Sequence, residues 1–105
     1  MMKEENGMKI TKEKNGNALL VALEGRLDTM TAPELEAELN KSLGGADSLT
    51  MDFSKLEYIS SAGLRVLLSA HKTMNAKDGM TVTHVNEIVQ EVFEVTGFAE
   101  ILTIE

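Results

Sequence analysis

The sequence lacks cysteine and tryptophan, and it contains only three phenylalanines, one tyrosine and one proline. Without cysteine the chain has no disulfide, no thiol nucleophile and no thiolate metal site. No apolar run reaches the about 18 residues that a membrane-spanning helix needs. The first seven residues, MMKEENG, do not have the pattern of a signal peptide. We therefore expect a soluble, cytoplasmic protein.

Basic residues are in deficit, with 10 Lys and Arg against 17 Asp and Glu, which gives a formal net charge of −7. Nucleic-acid binding needs a basic surface, and anionic membranes repel acidic proteins, so we expect neither partner. A chain of 105 residues with 43% hydrophobic residues is large enough for one core. We expect one domain over residues 1–105, with the polar residues 1–7 flexible.

The central stretch, residues 49–74, changes its hydrophobic period once. Leu49, Met51 and Phe53 alternate with polar residues, which predicts a strand over residues 48–53. From Leu64 onward the apolar residues fall at helical spacing. Ser60 and Ser61 lie between the two patterns, where the helix must begin.

Further elements follow from the same patterns. Asn15-Gly16 predicts a hairpin between short strands over residues 8–11 and 18–24, and the second strand is apolar enough to be central and fully buried. Thr31, with Glu34 at capping-box spacing, predicts the start of a helix whose buried face contains Leu35, Leu39 and Leu43. A strand is expected over residues 80–84 and a last short strand over residues 99–104.

Another helix is predicted to begin after Asn86 and to end at Gly97. Its inner face is expected to comprise Ile88, Val89, Val92, Phe93 and Val95. The order is thus β-β-α-β-α-β-α-(β). This order predicts an α/β domain with a mostly parallel sheet of four to five strands, an N-terminal hairpin and three to four helices.

Two interpretations of Ser60 and Ser61 stay open at this point. Their hydroxyls are suited to cap the following helix. The same helix start is also a favourable seat for an anion, because N–H groups and the positive end of the helix dipole point at it. The serines do not form a nucleophile elbow of the α/β-hydrolase kind, since the sequence has no G-x-S-x-G.

Other catalytic and metal-binding patterns are weak. The sequence has no phosphate-binding G-x-x-x-x-G-K-[ST] and no G-x-G-x-x-G. His71 and His84 lie on different predicted elements, whereas a zinc site needs three or four converging ligands. Asp28 follows one predicted strand and Asp52 lies near the end of the next, so we expect both to converge with the serine turn at one sheet edge. Two acids and two serines without a cation make a poor active site, so we expect no enzyme, no metal and no cofactor.

The run MDFSKLEYISSAGLRVLL at residues 51–68 resembles the core motif of the STAS domain found in bacterial anti-sigma factor antagonists. Residues 25–28, GRLD, resemble a second motif of that family, and the order of elements is similar over nearly the whole chain. The resemblance implies a protein that binds an anti-sigma factor serine kinase while unphosphorylated. It also implies that phosphorylation of one serine breaks the complex and that a metal-dependent serine phosphatase restores it.

The family turn often reads Asp-Ser-Ser/Thr-Gly-Leu. The resemblance places Ser60 at the acidic position and Ser61 at the phosphoacceptor, while Asp28 matches an aspartate near the phosphorylation site. Ser60 replaces the acidic neighbour, so it is an alternative acceptor. The expected partner-binding residues form two groups: Asp28, Thr29 and Met30, and Ser60, Ser61, Ala62, Gly63, Leu64 and Arg65. Two alternatives to a phosphorylated antagonist stay open. One is a STAS scaffold, and the other is a small-molecule or nucleotide sensor that uses the crevice near Asp28 and Ser60. Neither alternative involves phosphorylation.

Overall fold

A computed structural model describes residues 8–105, so the expectation for residues 1–7 lies outside the described range. The chain opens with the predicted hairpin, formed by β1 (Met8–Asn15) and β2 (Ala18–Leu27). Asn15 pairs with Ala18, which leaves the two-residue loop Gly16-Asn17, and Gly16 adopts φ 62° at its first position. Both strands are longer than predicted, because charged and polar residues continue the pairing at their ends.

The remaining elements alternate between helices and strands: α1 (Ala32–Ser42), a 3-10 turn (Leu43–Gly45), β3 (Ser48–Ile59), α2 (Ser61–Asn75), β4 (Met80–Thr83), α3 (Glu87–Thr96), α4 (Phe98–Ile101) and β5 (Thr103–Ile104). The five strands lie in sequence order across one sheet, and only β1 and β2 pair antiparallel. The α/β class, the mostly parallel sheet and the N-terminal hairpin are thereby confirmed. α4 was not predicted, since four residues give no periodic signal, and the strand expected over residues 99–104 is limited to Thr103–Ile104.

The core lies between one face of the sheet and the helices. Alternating residues of β2 and β3, such as Val21, Leu23, Met51 and Phe53, are almost completely buried. The residues between them, including Leu20, are only partly buried. The helices therefore cover one face of the sheet. The expectation that β2 is fully buried is wrong, although its position between β1 and β3 is internal.

Three predicted helix features are confirmed. Asn86 caps α3, because its side-chain oxygen accepts from the Val89 N–H at 2.8 Å. Gly97 ends α3 in the left-handed conformation, at φ 85°, where glycine is favoured. The buried face of α1 contains Leu35 and Leu39, and Leu43 is buried just after the helix ends.

Two predicted helix features are wrong. Thr31 stands at the N-cap of α1, but its hydroxyl makes no capping hydrogen bond there. Ile88 and Val95 of α3 are 59% and 76% exposed, because only the stripe with Val89 and Phe93 faces the core. None of the helices in residues 8–105 is both long and apolar enough to cross a membrane.

Candidate functional site

The ends of β2 and β3 bring two predicted site segments together. Leu27 pairs with Ile59 in the parallel register, and the Ser60 N–H donates to the Leu27 carbonyl at 2.9 Å. The chain leaves both strands immediately afterwards, into the Asp28 loop and into α2. The expected convergence of the Asp28 loop and the serine turn at one sheet edge is therefore confirmed.

The Asp28 loop is held by its own side chains. Asp28 Oδ1 accepts from the backbone N–H groups of Met30 at 3.0 Å and Thr31 at 3.1 Å. The buried Thr31 hydroxyl accepts from the Asp28 N–H at 2.8 Å and donates to the Arg26 carbonyl at 2.8 Å. These bonds fix the loop before α1 begins. The sequence predicted Thr31 only as a cap, although an aspartate three residues before a threonine is a signal for this reciprocal turn.

The Asp28 carboxylate stays charged in this loop. Burial by itself raises its pKa, but hydrogen bonds from the backbone of Thr31 and Met30 and from the Thr31 hydroxyl, with the charge of Arg26, outweigh burial and lower the pKa. Arg26 Nε lies 3.7 Å from Asp28 Oδ2, and the Arg26 guanidinium stands 4.4 Å from the centre of the Tyr58 ring. A fixed negative charge therefore lies beside the start of α2.

The two serines occupy different environments. Ser60 is the N-cap residue with extended backbone, yet its hydroxyl makes no capping bond, and Oγ is buried without a hydrogen-bond partner among the described residues. The expected serine cap is therefore not formed by Ser60. Ser61 is the first residue of α2 and is exposed. The backbone hydrogen bonds of α2 begin where the Leu64 N–H donates to the Ser60 carbonyl at 3.0 Å. The backbone N–H groups before Leu64 therefore have no carbonyl partner within the helix.

Gly63 allows α2 to approach the strand ends closely. A Cβ atom at this position would lie 2.6 Å from Leu27 Cγ and 2.9 Å from Ile59 Cγ1. Leu64 is 95% buried against the core. Both residues belong to the predicted partner-binding set, but both are buried. They therefore support the turn from below and do not form its surface.

The other predicted residues form the surface of the site. Met30 is 73% exposed, and Thr29, Ala62 and Arg65 line an open groove of about 390 Å³. The groove also contacts residues of α1 and α2: Ala32, Pro33, Glu36, Val66 and Ser69. Neither Asp28 nor Ser60 is among its lining residues, so it does not match the ligand crevice expected near that pair.

Asp52 does not join this site, and the expectation that it would converge with the serines is wrong. β3 continues seven residues beyond Asp52 to Ile59, because Leu56 and Ile59 keep the strand buried after the pattern shifts. Asp52 instead pairs with Thr83 near the end of β4. The Ser54 N–H donates to Asp52 Oδ1 at 2.9 Å, and this bond, against the opposing effect of burial, lowers the pKa of Asp52.

The histidines also lie apart from the serine turn. His84 Nδ1 is 3.3 Å from Asp52 Oδ1, while His71 lies in α2. Within residues 8–105, no group of three or more potential metal-binding side chains comes together. The site at the ends of β2 and β3 thus offers a hydroxyl, a carboxylate and a helix N-terminus, which suit binding and modification better than acid–base catalysis.

Comparison with known proteins places these features in a family. A family model described as "Mlab, STAS domain" matches residues 10–103. BtrV of Bordetella bronchiseptica, whose name assigns it to the anti-sigma factor antagonists, is 36% identical over 99 residues. That alignment covers 92% of this chain and 85% of BtrV.

Solved structures share the fold at lower identity. An anti-sigma factor antagonist from Mycobacterium paratuberculosis is 21% identical with a TM-score of 0.86, and the match covers 94% of this chain and 86% of that one. The unphosphorylated form of SpoIIAA is 17% identical with a TM-score of 0.79, and the match covers 92% of this chain and 88% of SpoIIAA. The phosphorylated form of SpoIIAA, from Bacillus, is 17% identical with a TM-score of 0.72, and the match covers 92% of this chain and 91% of SpoIIAA. Both forms of SpoIIAA therefore have the same overall fold as this chain.

Proposed function

Because the chain belongs to the STAS domain family, we propose that it is an anti-sigma factor antagonist switched by phosphorylation of Ser61. In its unphosphorylated form it binds an anti-sigma factor that is also a serine kinase. Phosphorylation breaks that complex, and a metal-dependent serine phosphatase restores it. The chain acts by binding in the cytoplasm and is not itself an enzyme.

The contrast between the two serines carries the proposal. The kinase must reach the hydroxyl that it modifies, and Ser61 is exposed at the first residue of α2. Ser60 Oγ is buried, so phosphorylation there would first require the turn to open. The structure therefore supports Ser61 over Ser60 as the acceptor.

The helix start explains how a phosphate is tolerated within the chain. A phosphoserine adds roughly −1.5 to −2 charges. At the first residue of α2 these charges face unsatisfied N–H groups and the positive end of the helix dipole, both of which are favourable to an anion. The isolated domain therefore stays folded after modification.

The same charge opposes binding of a partner. The proposed contact surface comprises Asp28, Thr29, Met30, Ser60, Ser61, Ala62 and Arg65, with Gly63 and Leu64 supporting it from below. A phosphate in the middle of this surface would be desolvated by the partner, and it would stand beside the charged Asp28 carboxylate. A loss of about 3 kcal/mol weakens binding by about 100-fold.

The proposal predicts the binding behaviour of Ser61→Asp. Titration calorimetry with an anti-sigma factor kinase that binds the unmodified chain is the measurement. We expect Ser61→Asp to bind about 100-fold more weakly, because it adds a charge at the centre of the contact surface. Thr73→Asp is the matched control, since it adds the same charge to an exposed position near the other end of α2.

Two results would contradict the proposal. One is undiminished affinity of Ser61→Asp for the kinase. The other is an equal loss for Ser61→Asp and Thr73→Asp, which would show that added charge acts without regard to its position.

A further inference from the structure

The exposed side of α3 carries an apolar stripe whose outer residues, Ile88 and Val95, are not covered by the core. Ile88, Val92 and Val95 follow one another at spacings of four and three residues, so they lie on one face of the helix. Ile88 is 59% exposed and Val95 is 76% exposed, whereas Val92 between them is partly buried and packs against the core. Two of the four large exposed hydrophobic side chains in residues 8–105 thus stand together on α3.

An acidic stripe runs beside the apolar one. Glu87, Glu91 and Glu94 repeat at the same spacing, displaced by one residue and therefore by about 100° around the helix. They border an open groove of about 450 Å³ together with Val85, Asn86 and Gln90. Gln90 Nε2 donates to Glu94 Oε2 at 3.2 Å, and no lysine or arginine in residues 8–105 forms a salt bridge with these three glutamates.

Most of the net charge of the chain belongs to the C-terminal residues that include this helix. Residues 78–105 contain no lysine or arginine, and their acidic residues are Asp78, Glu87, Glu91, Glu94, Glu100 and Glu105. These six charges account for most of the formal net charge of −7. The surface of α3 therefore attracts cations and repels anions.

We propose that this face of α3 docks a basic amphipathic helix of a partner protein. Apolar side chains of the partner would cover Ile88 and Val95, while its lysines or arginines would meet the glutamate stripe. Ile88 and Val95 are seven residues apart, or roughly 10 Å along the helix, which two to three turns of a partner helix can cover. The surface lies on a different element from Ser61 and goes beyond the proposed phosphorylation switch.

The charges argue against two other occupants. A second copy docked through the same face about a two-fold axis would bring two glutamate stripes close together, and like charges repel. An anionic lipid surface would be repelled in the same way. A basic partner is the occupant whose charge complements this face.

The test uses a synthetic 18-residue peptide with leucines at helical spacing and lysines on both flanks. A second peptide of the same composition, with the leucines scattered around the helix, controls for charge alone. Binding to the full chain is measured by fluorescence anisotropy at low and moderate salt. We expect the amphipathic peptide to bind at least 10-fold more tightly than the scattered one.

Variants of the chain locate the binding surface. The double variant Ile88→Ser/Val95→Ser should weaken binding of the amphipathic peptide at least 10-fold, because it removes the apolar stripe and keeps the charge. Met30→Ser is the matched control, since Met30 is 73% exposed and lies in the Asp28 loop, away from α3. Glu91→Gln/Glu94→Gln should weaken binding at low salt and reduce its salt dependence. Ser61→Asp should leave peptide binding unchanged, so failure here is separable from failure of the phosphorylation switch.

Several outcomes would overturn the inference. They are equal binding of the two peptides, no binding of either, and an equal loss in Met30→Ser and in the double variant. Self-association of the parent chain in sedimentation velocity that the double variant abolishes would also overturn it, since the occupant would then be a second copy.

Discussion

Gly63 determines how closely α2 approaches the ends of β2 and β3. The helix contacts Leu27 and Ile59 through the space that a side chain would otherwise occupy. This close contact places Ser60 beside Leu27, so it also sets the distance between the serine turn and the Asp28 loop. One residue without a side chain thereby connects packing with the geometry of the proposed site.

Gly63→Ala is predicted to destabilise the fold by about 1–3 kcal/mol in urea unfolding. The added methyl would lie 2.6 Å from Leu27 Cγ, and overpacking of this kind outweighs the about 0.5–1 kcal/mol that alanine gains over glycine in a helix. Gly44→Ala is the matched control, because no atom lies within 4 Å of a Cβ there. A variant Gly63→Ala as stable as the parent chain would show that the helix position is adjustable.

Asp28 and Thr31 fix the loop by exchanging hydrogen bonds. Asp28 Oδ1 accepts two backbone N–H groups, and these bonds favour the ionised carboxylate. The folded-state pKa of Asp28 is therefore below its unfolded value. Such a group contributes stability above the unfolded pKa of about 4, and that contribution is lost as the pH falls through the lowered folded pKa.

Asp28→Asn is predicted to lower stability at pH 7 by about 1 kcal/mol, because a neutral amide accepts weaker hydrogen bonds than a carboxylate. The difference from the parent chain should shrink as the pH falls below about 4. Urea unfolding of both chains at a series of pH values measures this difference in stability. Asp78→Asn is the control at an exposed carboxyl. A difference for Asp28→Asn that stays constant down to pH 2 would contradict the role of the charge.

At the scale of elements, α2 joins the core to the proposed switch. Its buried face contains Leu64, Leu67 and Met74, while its first two turns present Ser61 and Arg65 to solvent. Arg65 is four residues after Ser61, so the two side chains lie one turn apart on the same face. A phosphate on Ser61 would therefore have a cation within reach.

Arg65→Ala is predicted to destabilise the phosphorylated chain more than the unmodified chain, by about 0.5 kcal/mol, since an exposed pair at this spacing contributes that much. Thermal unfolding of both forms gives the difference. Lys72→Ala removes an exposed cation from the last turn of the same helix and should affect both forms equally. Equal effects of Arg65→Ala on the stability of the two forms would show that Arg65 does not pair with the phosphate on Ser61.

Hydrophobic periods predicted most of the helices and strands, but they did not predict which apolar residues are buried. In α3 the sequence shows five apolar side chains, and a helix with two neighbouring apolar stripes looks like a helix with one wide inner face. Only the sheet decides that Val89 and Phe93 face inward while Ile88 and Val95 stay exposed. The predicted end of β3 at Phe53 is too early because the alternation shifts there, and Asp52 therefore lies in the middle of the strand and not near its end.

At the scale of the whole molecule, the sequence predicted which segments meet but not how each side chain is presented. The rule that parallel strands end at one edge was enough to bring Asp28 and the serine turn together. The burial of Ser60 Oγ depends on the packing of α2 against β2, which no local pattern contains. The family motif left both serines as candidates, and the folded molecule buries Ser60 Oγ while it exposes Ser61.

The most direct measurement is phosphosite mapping by mass spectrometry on the chain isolated from its native cells, beside Ser60→Ala and Ser61→Ala variants. We expect a phosphate on Ser61 that persists in Ser60→Ala and is lost in Ser61→Ala. A phosphate on Ser60 would contradict the assignment of the acceptor. The absence of phosphate under every growth condition would contradict the switch itself.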